Sequence, residues 1–200
     1  MLLLFAGSGC AALLYEVVWF HLLRLVVGCS SVSIAFLLAS FMGGMCLGTL
    51  LLPRCVGRHR HPLRVYALLE LGIGAIGLLL PVALPWLGDL YQQHAGSGMS
   101  GLVWRGTLCG VVLLLPTMLM GATLPAIARW LGTTTAGMQK LGGFYVANLV
   151  GAVAGTVLAG FWLMPCYDLV VTTGVAVAIN VLVALVALGL ARRVGAAAVV

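Results

Sequence analysis

A chain of 200 residues that is 63% hydrophobic and only 7% charged, with a mean hydropathy of +1.21, is excluded from the water-soluble class, because a soluble surface needs roughly 25% charged residues. Ten Lys and Arg against four Asp and Glu give a net charge of +6, but these charges sit mostly in short loops between apolar runs, which excludes nucleic acid as a partner. The runs exceed the ~18 residues that mark a spanning helix, and the alternating segments of a barrel are absent, so the sequence predicts an all-α polytopic membrane protein: a six-transmembrane-helix bundle with the lipid bilayer as its partner.

The first span is read over residues 2–27. Its Gly7-Ser8-Gly9-Cys10 stretch is similar to a lipoprotein cleavage site, but no basic residue precedes it. The apolar run also continues past the 7–15 residues of a signal core, so it is retained as a spanning helix. Glu16 lies near its middle, where a charge costs at least ~2.5–3.5 kcal/mol on insertion scales. Such an acid is protonated, paired or turned to a polar cavity. Arg24 stands two turns away and off its face, which leaves Arg105, His21, Asn148 and Asn180 as candidate partners. Glu16 therefore has two readings, a buried acid fixing helix register or a proton or cation site.

A tight turn at 28–31 leads to the second span, 32–52, which carries the Gly44/Gly48 pair. The basic loop 53–64 precedes the third span, 65–87, where Glu70 is close enough to the end to reach the headgroups or the loop. His59 and His61 have no ligand partner at metal spacing. After the Gly-rich loop 88–101 comes the fourth span, 102–124, with Arg105 near its start. Pro116 within it predicts a kink, either for packing or as part of a broken helix lining a site. The fifth span, 141–164, carries Asn148 and the Gly151/Gly155 pair. Both glycine pairs suit close helix approach, within the bundle or between copies. A turn at 165–168 gives the sixth span, 169–191, and a tail, 192–200. The six cysteines lack CxxC spacing and read as buried free thiols; a Cys29–Cys166 disulfide stays open.

Arg54, Arg58, Arg60, Arg64, Arg129, Lys140, Arg192 and Arg193 all fall on one side of a six-span chain. Only Arg24 and Arg105 fall near the other. Both termini are therefore predicted to be cytoplasmic, in a multi-pass protein of the cell membrane, of the bacterial inner-membrane type. Trp86, Tyr91, Trp104, Trp162 and Tyr167 at one level, with Tyr66, Trp130 and Tyr145 at the other, read as interfacial belts. No nucleotide loop, HExxH or GxSxG occurs, so neither a catalytic residue nor a cofactor is assigned in this chain.

Five segments resemble the membrane region of spermidine synthase-like proteins, also described as fused transporter-like/spermidine synthase proteins. They are the stretches 8–19, 38–48, 62–74, 115–125 and 145–155, in that family's order and spacing. The resemblance implies a cytoplasmic aminopropyltransferase-like domain, on a longer native chain or a separate subunit, which the membrane domain anchors or serves. It carries over no catalytic residue. The other readings are a transporter-like module for a polyamine or another small cation, with Glu16, Glu70, Asn148 and Arg105 as its candidates, and a structural subunit of a homo-oligomer or larger membrane complex.

Overall fold

The computed structural model describes residues 1–27, 31–57, 61–92, 99–132 and 135–197. They form α1 (Leu2–Val27), α2 (Ser31–Cys55), α3 (Pro62–Gln92), α4 (Met99–Leu131) and α5 (Thr135–Leu158). A π-helical turn, Ala159–Leu163, carries α5 into the short α6 (Met164–Cys166), and α7 (Leu169–Ala197) follows. Six helical stretches among the described residues are long and apolar enough to cross a membrane. The chain is an all-α membrane domain, as its composition requires: only helices and closed barrels satisfy every backbone group in lipid.

The helices outrun the apolar windows. Residues 88–92 and 99–101, expected as loop, are helical, and so is the expected tail as far as Ala197. The stretch after residue 124 is part of α4, and α5 starts at Thr135 rather than at 141. Hydropathy marks the lipid-facing length, whereas the helix continues into the interface until a cap or turn stops it. Gly132, with φ +76°, provides that stop after α4, since glycine adopts the left-handed conformation without a Cβ penalty. Asp168 starts α7, its Oδ1 accepting from the Val171 N–H at 2.8 Å in an N-cap arrangement.

α1 is the central helix, packing mainly on α5 and α7 and also meeting α3. α4 packs on α2 and α3, and α3 runs along α7. Glycines set the two tightest contacts. A Cβ on Gly44 would strike the Thr117 side chain, and one on Gly48 or Gly121 would strike the Met118 or Met45 carbonyl across the α2/α4 seam. Gly151 and Gly155 likewise meet the Ala6 and Cys10 carbonyls across the α1/α5 seam. Both sequence-read glycine pairs therefore pack inside the bundle.

α4 passes through Pro116 and Pro125 as one helix. Proline at 125 removes the N–H that would bond the carbonyl of residue 121. That carbonyl instead accepts from Thr49 Oγ1 of α2 at 2.9 Å, so a neighbouring helix repairs the gap. Near Pro116, Thr117 Oγ1 donates to the Leu113 carbonyl at 2.8 Å. The outer surfaces carry exposed Leu38, Met42, Val153, Phe161, Leu182 and similar side chains, the composition of a lipid-facing surface. Cys46, Cys55 and Cys166 lie there too, free and exposed, which corrects the expectation of buried thiols. A thiol is a small hydrophobe, so lipid suits it as well as the core does. Cys29 lies outside the described residues, and the pairing with Cys166 with it.

Candidate functional site

Glu70 is the focus of the interior. On α3, Leu63, Tyr66, Ala67, Glu70, Ile73 and Gly77 are all buried, spaced by three and four as one face of a helix. The acid lies in the middle of that face, eight residues and about 12 Å past the start of α3, and is 0% exposed. This corrects the expectation that Glu70 reaches the headgroups or the basic loop. The face it belongs to turns inward, and its side chain turns with it.

Two other helices, α1 and α7, supply its hydrogen-bond partners. Ser8 Oγ of α1 donates to Glu70 Oε1 at 2.5 Å. Asn180 Nδ2 of α7 donates to the Glu70 backbone carbonyl at 3.3 Å. Tyr66, one turn earlier on α3, stands beside Ser8 and Glu70, its hydroxyl buried and without a hydrogen bond of good geometry. Tyr66 was expected in an interfacial belt; at 1% exposed it is instead a core residue. Glu70 Oε2 and Asn180 Oδ1 are also buried without a partner.

Those two groups line a cavity of about 230 Å³ that draws on all six spans. Ser8, Thr123 and Asn148 add polar groups, while Phe41, Ile73 and Met120 contribute apolar wall. Exposed Tyr145 and Leu149 on α5 form part of its rim. No Lys, Arg or His is among its described lining residues. Glu70 and Asn180, each with a buried, unpartnered oxygen, thus border a small, mostly apolar space with no basic side chain among its described lining residues.

The remaining sequence candidates divide. Asn148 is half-buried and lines the cavity beside Glu70. Glu16 is half-buried, lies outside the cavity lining and forms no hydrogen bond or ion pair with the described residues. The expected polar partner is thus not found there. Its position on α1 is adjacent to the inward Tyr15 rather than on the Ser8–Tyr15–Leu22 stripe that faces the core. Pro116 is buried in α4 but is not among the lining residues. The side chain of Arg105 lies outside those described. Ser8, Thr123 and the pairing of Asn180 with Glu70 were not assigned from sequence. The inward stripe on α3 was the one local signal, since Glu70 falls on it.

Comparison with protein-family models, with curated proteins and with solved structures gave no match.

Proposed function

We propose that this membrane domain is a binding module of the transporter-like kind, receiving a small organic cation, with Glu70 as the acid that meets its charge. The observation that carries the reading is the unpartnered Oε2 of Glu70, a residue lining a cavity with no basic side chain among its described lining residues. A buried ionisable group in a membrane helix marks a functional site by default. The cavity is smaller than the ~300–1,000 Å³ pockets that take drug-sized ligands, so its occupant is small. With one acid and apolar walls, it fits a single ammonium on a short hydrocarbon better than a diamine, whose second charge would find no second acid.

Equilibrium binding to the purified protein in nanodiscs tests this. n-Butylammonium is expected to bind with one site per chain, more tightly than putrescine, and neutral n-butanol is expected not to compete. Equal binding of the alcohol would defeat the reading.

Anchoring or serving a cytoplasmic aminopropyltransferase-like domain is the second proposal, supported by the order and spacing of the five sequence segments, and with it both termini are proposed to be cytoplasmic. The intact mass of the natural protein, or co-purification of a separate synthase subunit, tests it. A natural protein of 20.8 kDa with no such partner would remove this second reading.

A further inference from the structure

Resting on the reading of Glu70 as a cation site, we infer that the six spans are two inverted repeats of three, α1–α3 and α4–α7, and that the module moves its cation from one side of the membrane to the other. Exchanging the first, second and third spans for the fourth, fifth and sixth maps the packing onto itself. α1 on α5 becomes α4 on α2, α1 on α7 becomes α4 on α3, and α3 on α7 maps to itself. Spans one and four cross in opposite directions, so the operation is an inversion.

The seams repeat at the level of single residues. In the α1/α5 seam, Gly9 meets the Asn148 carbonyl and Gly151 meets the Ala6 carbonyl. In the α2/α4 seam, Gly121 meets the Met45 carbonyl and Gly48 meets the Met118 carbonyl. On each helix the glycine follows the residue whose carbonyl is met by the same interval: Ala6 to Gly9, Met118 to Gly121, Met45 to Gly48 and Asn148 to Gly151. The match covers these four contacts; Gly155 against Cys10 and Gly44 against Thr117 have no counterpart in the other seam. The same exchange sets α3 against α7, and Glu70 and Asn180 meet where they cross. The unpartnered acceptors thus lie at the repeat interface, where inverted-repeat transporters hold their substrates and coupling ions. Only α3 carries an acid there.

The halves differ in one respect. Ser8 bonds Glu70, and Tyr15 lies against Gly77, bringing α1 closer to α3 than α4 comes to α7 among the described residues. Two repeats that alternate are unequal in any one state. Swapping which of them makes the closer contact exposes the same cavity to the opposite side.

The test uses the full chain with its cysteines replaced and a single Ala12→Cys reporter in the cavity wall, reconstituted in vesicles of known orientation. A charged, membrane-impermeant methanethiosulfonate is added from either side. The reporter is expected to be labelled from both sides. Gly151→Ala and Gly48→Ala, which wedge equivalent points of the two seams, are expected to shift the ratio of the two rates in opposite directions, by about threefold or more. Labelling from one side only, or shifts in the same direction, would overturn the inference; if the wedge variants do not insert, the parent's two-sided labelling decides alone. Protection by n-butylammonium reports separately on the cation site. Two-sided labelling without protection removes the amine reading and leaves the repeat architecture standing, while protection with one-sided labelling does the reverse.

Discussion

Ser8 and Glu70, 62 residues apart in the chain, share a hydrogen bond of 2.5 Å at one carboxyl oxygen while the other carboxyl oxygen has no partner. The bond fixes the side chain's direction and leaves the second oxygen of this cavity-lining residue unpartnered, so the proposed site divides positioning and binding between two atoms of one group. Ser8→Ala is expected to release that orientation. Cation affinity should fall, and stability should drop by about 1–2 kcal/mol, the cost of leaving a buried polar group unmatched. Denaturant unfolding in micelles and butylammonium binding, measured on the same sample, check both effects.

Thr49 stands where α4 lacks a backbone donor. Thr49→Val keeps the shape but removes the hydroxyl that the Gly121 carbonyl accepts. A loss of about 0.6–1.7 kcal/mol is expected, the range of interhelical hydrogen bonds in lipid. Thr156→Val is the control: that exposed hydroxyl bonds only the Ala152 carbonyl of its own helix, and its removal should leave the unfolding midpoint unchanged.

The glycines separate into two groups. Gly151→Leu places a large side chain against the α1 backbone at Ala6 and should cost about 1–3 kcal/mol or more by overpacking. Gly160→Leu and Gly174→Leu meet open space and should insert and unfold like the parent. A thermal-shift series across the three variants reads this directly.

Glu16 has no polar partner among the described residues, so Glu16→Gln is expected to retain both stability and cation binding. A loss of binding in Glu16→Gln, with Glu70→Gln unaffected, would transfer the site from α3 to α1.

The six spans were legible because lipid allows only helices, so an apolar run of sufficient length determines its own secondary structure. Their ends were not, because Gln92 and Ala197 continue helices beyond the apolar windows into regions where hydropathy carries no information. The glycine seams were legible as motifs, but which partner they met was not: GxxxG permits close approach without naming the neighbour. Glu70 and Glu16 show the sharper limit. Depth along the helix favoured Glu16, yet the rotation of each helix decided which acid faced inward. That rotation is set by contacts between segments far apart in the chain, Ser8 with Glu70 and Asn180 with Glu70.

Paired binding isotherms for Glu70→Gln and Glu16→Gln test the central claim most directly. Glutamine keeps an oxygen for the Ser8 hydroxyl but has no charge to offer an ammonium, so Glu70→Gln should fold and bind n-butylammonium at least about tenfold more weakly, the size of one charge-assisted hydrogen bond. Glu16→Gln should bind like the parent. Unchanged affinity in a folded Glu70→Gln protein would contradict the account.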